Sequence, residues 1–220
     1  MTERILVTGG AGFIGSHLIE RLLAQGYQVV SLDNFNSAYP PARKWQNIQP
    51  LLSHPAFTLA QGDIRDRSLL SNLFSRYSFQ AVVHLAGLAG VRPSVEPPHL
   101  YQEVNILGTL NLLEESRDKV ARFVFASSSS VYGNNPCRPL REDMLPSPIS
   151  PYGASKAGAE LLCSTYHHLY GLPVVMLRFF TVYGPRQRPD MAFSRFTQAI
   201  ERGQPIQLFG PGDSRRDYTY

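Results

Sequence analysis

The sequence is poor in the residues that build disulfide frameworks and metal centres. Its 220 residues include only two cysteines, Cys137 and Cys163, and neither they nor the six histidines show metal-ligand spacing. This scarcity excludes a small scaffold stapled by disulfides, and we expect two free thiols in a reducing compartment. The pattern predicts no metal site.

Long apolar runs and a strong charge of one sign are also missing. No apolar stretch reaches the roughly 18 residues of a membrane span, and the N-terminus lacks the basic and apolar regions of a signal peptide. The 21 basic and 17 acidic residues leave a formal charge of only +4, without a Lys/Arg run. We therefore expect a cytoplasmic protein that binds neither membranes nor nucleic acid. Arginines become more frequent towards the C-terminus, which suits an anionic small molecule.

Short apolar runs alternate with helix-length segments along most of the chain. Strands are predicted at 4–8, 28–33, 57–59, 81–85, 122–126 and 173–177, and helices at 13–25, 68–77, 101–116 and 152–170. Such alternation is typical of a parallel sheet covered by helices on both faces. The prediction is an α/β fold with a doubly wound parallel sheet over residues 1–178. Residues 179–220 are predicted to begin a smaller C-terminal substrate lobe, and 34–55 and 134–151 to be loops at the rim of a site.

A glycine-rich turn follows the first predicted strand and precedes the first predicted helix. Glycines at 10, 12 and 15 match the dinucleotide fingerprint, and those at 9, 12 and 15 match a related spacing. Glycine permits the tight turn and lets backbone amides approach a pyrophosphate at the helix N-terminus. The context of strand, turn and helix predicts a dinucleotide-binding Rossmann domain.

Carboxylates end the next two strands. Asp33 ends the second strand, where a carboxylate accepts hydrogen bonds from ribose hydroxyls and repels a 2′-phosphate, so that NAD is favoured over NADP. The alternative is a capping or turn aspartate. Asp63 and Ile64 are placed to meet the adenine, and small residues at 85–87 allow the backbone to approach a cofactor.

Tyr152 and Lys156 are four residues apart, so a helix would place both side chains on one face. A phenol ionises near pH ~10, and its use as a base near neutrality requires about 4 kcal/mol of stabilisation of the phenolate. A lysine ammonium one turn away is a suitable source of this stabilisation. The alternative is an ordinary amphipathic helix that carries one Tyr and one Lys.

Together these residues resemble the extended short-chain dehydrogenase/reductases, in particular the sugar-nucleotide epimerase and dehydratase group. The resemblance covers essentially the whole chain. The motifs that carry it are the glycine turn, Asp33, Asp63-Ile64, Leu85-Ala86-Gly87, Asn105 before Gly108-Thr109, the serine run before Val131-Tyr132-Gly133, and Tyr152 with Lys156.

The resemblance implies a role for each matching residue. Tyr152 is expected to be the general base and acid, Lys156 to hold the nicotinamide ribose and lower the pKa of the phenol, and Ser128 to bind the reacting sugar oxygen. The implied cofactor is NAD, bound by Gly9, Gly12, Phe13, Ile14, Gly15, Asp33, Asn34, Asn36, Asp63, Ile64, Leu85, Ala86, Gly87, Asn105, Tyr152, Lys156 and Phe179. The implied substrate-binding residues are Arg92, Ser128, Ser129, Thr181, Arg188 and Arg216.

The serine run narrows the implied reaction. Dehydratases of this group resemble one another in an acidic residue just after the catalytic hydroxyl, where this chain has Ser129 and Ser130. Because elimination of water needs a general acid, a dehydratase is disfavoured. Segments 89–94 and 178–192 look most like UDP-glucuronate 4-epimerases, which implies C4 epimerisation of UDP-glucuronate to UDP-galacturonate through a 4-keto intermediate.

Several alternatives stay open at this point. They are a UDP-glucose 4-epimerase, a related 4-ketoreductase, and a catalytically silent NAD-binding module, because the group typically continues for about another hundred residues. The resemblance also suggests a homodimer formed through the predicted helices at 101–116 and 152–170.

Overall fold

Six parallel strands form one sheet in the computed structural model, which describes residues 3–208, 215 and 217–220. The strands pair in the order β3-β2-β1-β4-β5-β6. They are β1 (Arg4–Thr8), β2 (Gln28–Asp33), β3 (Phe57–Gln61), β4 (Ala81–His84), β5 (Arg122–Ser128) and β6 (Val174–Phe179). Because the chain leaves β1 towards β2 and later returns to pair β4 on the other side, the strand order reverses between β1 and β4.

The central strand β1 is buried on both faces. Its residues alternate between the two sides of the sheet, so that Ile5 and Val7 pack with Val29, whereas Leu6 packs with Val30 in the second cluster. Burial on both faces explains why the strands are almost continuously apolar. The predicted doubly wound parallel sheet is confirmed.

Helices cover both faces of the sheet. They are α1 (Phe13–Ala24), α2 (Pro41–Ile48), α3 (Arg67–Arg76), α4 (Pro98–Gln102), α5 (Gly108–Ser116) and α6 (Pro151–Tyr170). Helix α6 has clear end signals, because the Ser150 side chain accepts the Gly153 N–H and Gly171 closes the helix with φ +66°. The predicted end of this helix at Gly171 is confirmed.

Two segments differ from the prediction. The helix expected over 101–116 is interrupted by a π-helical segment, Glu103–Leu107. The Thr109 hydroxyl, in the first turn of α5, donates to the Asn105 carbonyl of this segment (2.6 Å). The prediction of a loop over 34–55 is wrong for the middle of this segment, which forms α2 and a short 3₁₀ turn, Gln49–Leu51. Pro41 at the first position of α2 is compatible with a helix start.

The C-terminal part contains α7 (Ala192–Glu201) and a parallel pair of short strands, β7 (Thr181–Val182) and β8 (Tyr218–Thr219). The predicted domain boundary after 178 stays a prediction, and β6 runs one residue beyond it. Arg216 lies outside the described residues. Within the described part of the chain, no helix is long and apolar enough to cross a membrane, and no group of three potential metal ligands is found.

Candidate active site

A cavity of about 530 Å³ opens at the carboxyl ends of the strands, where the strand order reverses. The expected site residues that line it are Gly9, Gly12, Phe13, Ile14, Gly15, Asp33, Asn34, Asn36, Asp63, Ile64, Leu85, Ala86, Gly87, Ser128, Ser129, Tyr152, Lys156, Phe179, Thr181 and Arg188. One cavity therefore brings together residues that are up to 179 positions apart in the sequence.

The glycine turn needs glycine for space as well as for conformation. Gly9 has φ +71°, and a Cβ atom there would lie 2.7 Å from the Ala86 backbone nitrogen. A Cβ atom on Gly15 would collide with the Gly9 carbonyl oxygen. No side chain caps the start of α1 at Gly12, so the first amides of this helix are available to an anion. The arrangement fits a pyrophosphate.

Carboxylates mark the next part of the cavity. The two oxygens of Asp33 accept the backbone N–H groups of Ala11 (3.0 Å) and Phe35 (2.9 Å), which fixes the carboxylate and leaves lone pairs for further donors. Asp63 accepts the Asn34 side-chain amide (2.8 Å) and pairs with Arg65. The hydrogen bond from Arg65 lowers the pKa of Asp63 to about 2. This end of the cavity fits an adenosine.

Tyr152 and Lys156 face the opposite end of the cavity from neighbouring turns of α6. Lys156 is buried and donates to the Ala126 carbonyl (2.8 Å), and burial lowers its pKa to about 8. Ser128 Oγ accepts the Ser130 N–H (3.1 Å), which leaves the hydroxyl proton for the hydrogen bond between Ser128 and the phenol of Tyr152.

The lowering of the phenol pKa by Lys156 stays a prediction. Burial raises the pKa of Tyr152, and this effect exceeds the opposing effects of the Ser128 hydrogen bond and the Arg188 charge. The Lys156 ammonium gives one of its three donors to the Ala126 carbonyl. A phenolate here requires further positive charge in the cleft.

Asn105 supports the cavity from behind rather than lining it. Its side chain accepts the Leu88 N–H (2.8 Å) and donates to the Leu88 carbonyl (3.0 Å) and to the Ser155 hydroxyl (2.9 Å). Ser155 in turn donates to the Tyr152 carbonyl (2.8 Å). Asn105 therefore joins the loop after β4 to the catalytic helix, which fits the structural side of an expectation that left open a structural or a cofactor-side role; its contact with the cofactor stays a prediction.

Two of the arginines near the C-terminus, Arg178 and Arg188, are paired with carboxylates. Arg178 pairs with Glu160 (2.8 Å) and stacks over the Tyr132 ring, so it is not available to an anionic ligand. Glu160 also accepts the Ser127 hydroxyl (2.5 Å). Arg188 does line the cavity, but it forms two hydrogen bonds with Asp190 (2.7 and 3.0 Å). Arg92 is exposed next to Val91, which lines the cavity, and is not itself part of the lining.

The lining also includes residues that the sequence analysis did not name as site residues, among them Tyr39, Lys44 and Gln187. Lys44 and Tyr39 belong to the segment that we expected to be a loop. The helical spacing of Lys44, Asn47 and Ile48, which are buried on one face of α2, was the available signal.

A doubly wound sheet with a glycine turn at its first strand and a Tyr/Lys pair across the cleft defines the extended short-chain dehydrogenase/reductase class. The model of the NAD dependent epimerase/dehydratase family matches residues 5–220, and the chain belongs to this family.

Individual relatives agree with this assignment. The chain is 49% identical over 218 residues to the UDP-glucuronate 4-epimerase of Thermodesulfobacterium geofontis, a match that covers 98% of this chain and 67% of that protein. A structure of UDP-glucuronic acid 4-epimerase from Bacillus cereus with UDP-glucuronic acid and NAD has a TM-score of 0.93 and 44% identity, and covers 99% of this chain and 69% of that one.

A second similar structure is UDP-glucose 4-epimerase from Thermotoga maritima with UDP-glucose, which has a TM-score of 0.90 and 37% identity and covers 99% of this chain and 69% of that one. The chain thus spans about two thirds of the length of the bacterial relatives that it matches.

Proposed function

We propose that this chain carries out NAD-dependent C4 epimerisation of a nucleotide sugar, and that UDP-glucuronate is the substrate. The observation that carries the proposal is the convergence of Ser128, Tyr152 and Lys156 on one cavity whose other end suits an adenine dinucleotide. The similarity to UDP-glucuronate 4-epimerases supports the choice of sugar.

The residues of the cleft suit proton transfer at the sugar 4-hydroxyl. NAD⁺, when bound, supplies the acceptor for the C4 hydride and returns it later. Tyr152 takes the O4 proton, directly or through Ser128, as the C4–O bond becomes a carbonyl. After the sugar has turned in the cleft, Tyr152 returns the proton to O4, so the reaction has no net redox change. Lys156 holds a positive charge on this side of the cleft.

A uronate substrate places a further demand on the site. Its 4-keto form is a β-keto acid, which loses CO₂ easily unless its carboxylate is held in place. The hydroxyls of Ser128, Ser129 and Thr181 line the cavity and are suitable donors to a carboxylate. Arg188 is the described arginine of the lining, and we assign it to an anionic group of the nucleotide sugar. Arg92 and Arg216 stay predicted substrate residues.

The test is conversion of UDP-glucuronate, followed by chromatography of the UDP-sugars. We expect UDP-galacturonate to accumulate to an equilibrium mixture, and UDP-glucose to be converted much more slowly. Faster conversion of UDP-glucose would favour the second candidate, a UDP-glucose 4-epimerase, which the similarity to the Thermotoga maritima enzyme supports. Tight NAD binding without conversion of either sugar would identify a binding module and contradict the proposed activity.

We also propose that the chain forms a homodimer. The support is a set of exposed leucines on helices that pack side by side, with Leu100 on α4, Leu107 at the end of the π segment and Leu161 on α6. Light scattering after size exclusion should give twice the chain mass, and Leu161→Glu should give the single mass. A wild-type protein of single mass at micromolar concentration would contradict the proposal.

A further inference from the structure

Helix α2 places a buried lysine at the adenosine end of the cleft. Lys44 is 5% exposed and lines the cavity together with Asp33. Its ammonium group donates to the backbone oxygen (3.1 Å) and to Oδ1 (3.0 Å) of Asn36. A protonated lysine has three N–H donors. The ammonium also lies over the Tyr39 ring, 5.0 Å from its centroid. Among the residues that the structure describes, only Asn36 accepts hydrogen bonds from it, so its third N–H has no oxygen or nitrogen acceptor.

Asp33 provides the complementary acceptors. Each of its oxygens already accepts one backbone N–H, and a carboxylate with about four lone-pair positions can accept more. Asp33 and Lys44 are also close enough for the carboxylate to oppose the lowering of the Lys44 pKa by burial. An anionic acceptor and a cationic donor therefore share one part of the cavity wall.

The position of Lys44 is fixed by the contacts of its helix. Asn47 donates to the Ala11 carbonyl in the glycine turn (3.0 Å). The Trp45 ring stacks on Phe35 at 4.1 Å, and Phe35 lies two residues after Asp33. Both contacts tie α2 to the elements that form the adenosine end, so Lys44 is held in place rather than being a mobile surface lysine.

We propose that Lys44 is a second ribose-recognition residue, which donates to a hydroxyl of the adenosine ribose whose diol Asp33 binds as an acceptor. A ribose hydroxyl both donates and accepts hydrogen bonds. The Asp33 carboxylate can therefore accept from the diol while the Lys44 ammonium donates to it from the same side of the cavity. The Lys44 charge also reduces the repulsion between Asp33 and a 2′-phosphate. Lys44 therefore limits how strongly the site discriminates against NADP. This inference rests on the proposed NAD site.

The test compares NAD and NADP binding by calorimetry, with protein freed of copurified nucleotide. Loss of one charge-assisted hydrogen bond should weaken NAD binding by Lys44→Met about tenfold. The affinity for NADP should fall about tenfold further than that for NAD, because the 2′-phosphate then faces Asp33 without a compensating charge. Lys44→Arg should keep both affinities near the wild-type values. Lys119→Met is the matched control at an exposed ion pair and should change neither.

The variant Lys44→Gln distinguishes a role of Lys44 in nucleotide recognition from a role only in holding the segment that contains Asn36. The glutamine amide can still donate to Asn36 but carries no charge, so we expect a small loss of NAD affinity and a larger loss of NADP affinity. Equal losses for the two nucleotides in both variants, or no losses, would overturn the inference. Wild-type protein that binds neither nucleotide would refute the proposed NAD site and this inference together, whereas NAD binding without conversion of UDP-sugars would refute only the proposed activity.

Discussion

Lowering the pH from 7 to 5 should destabilise the protein through His84, which is buried beneath the cleft. Its Nδ1 lies 2.7 Å from Thr8 Oγ1, and its Nε2 lies 2.9 Å from Thr109 Oγ1. The Thr109 proton is donated to the Asn105 carbonyl, so Thr109 can only accept from the ring. Nε2 therefore carries the proton and Nδ1 accepts from Thr8. A neutral His84 therefore forms hydrogen bonds with both Thr8 and Thr109.

The size of the effect follows from the shift in pKa. Burial, and to a smaller extent the Lys156 charge, lower the pKa of His84 from 6.5 to about 3. As the pH falls below 6.5, the unfolded chain binds a proton that the folded chain rejects until about pH 3, so the free energy of unfolding decreases. The slope is about 1.4 kcal/mol per pH unit, which gives a loss of about 2 kcal/mol at pH 5.

The assay is urea unfolding at pH 7, 6 and 5. His84→Gln keeps one donor and one acceptor but cannot titrate. Between pH 7 and pH 5, its free energy of unfolding should therefore fall by about 2 kcal/mol less than that of the wild type. His99→Gln, at an exposed histidine, is the control and should follow the wild type. Parallel curves for His84→Gln and the wild type would refute the reasoning.

Three further variants test the site and its support. Tyr152→Phe should reduce turnover of UDP-glucuronate at least about a hundredfold while NAD still binds in calorimetry, and wild-type turnover would reject the base assignment. Glu160→Gln leaves the partly buried Arg178 without its carboxylate and should lower the free energy of unfolding by about 3 kcal/mol, so an unchanged urea midpoint would contradict the pairing. Gly9→Ala should weaken NAD binding, whereas Gly26→Ala, with φ +86° but open space, should destabilise the fold only. Equal NAD affinities in the two glycine variants would argue against the close approach to Ala86.

Local patterns in the sequence predicted much of the fold and of the cofactor site. The glycine turn, Asp33 at the end of β2 and the helical Tyr152/Lys156 pair each depend on spacing within one element. The apolar strands predicted the parallel sheet, because burial on both faces removes the polar residues from the pattern. The order of these elements then brought the cofactor end and the catalytic end into one cavity.

Features that depend on contacts between distant segments were not predictable in this way. Helix α2 has two prolines at its start and few apolar residues, and it is stabilised by Asn47 bonding to the Ala11 carbonyl and Trp45 stacking on Phe35. The arginine frequency suggested an anion site, yet Arg178 is paired with Glu160 from another element. The number of charged residues in a segment does not show which carboxylate each arginine pairs with.

The measurement that tests the central claim most directly is the fate of deuterium at C4 of the sugar. The protein is incubated with UDP-glucuronate that carries deuterium at this carbon, and the UDP-galacturonate product is analysed by mass spectrometry. In this account the same hydride leaves C4 and returns to it, and Tyr152 moves only the O4 proton. The product should therefore retain all of the deuterium. Loss of the label to solvent, or the absence of UDP-galacturonate, would contradict the account.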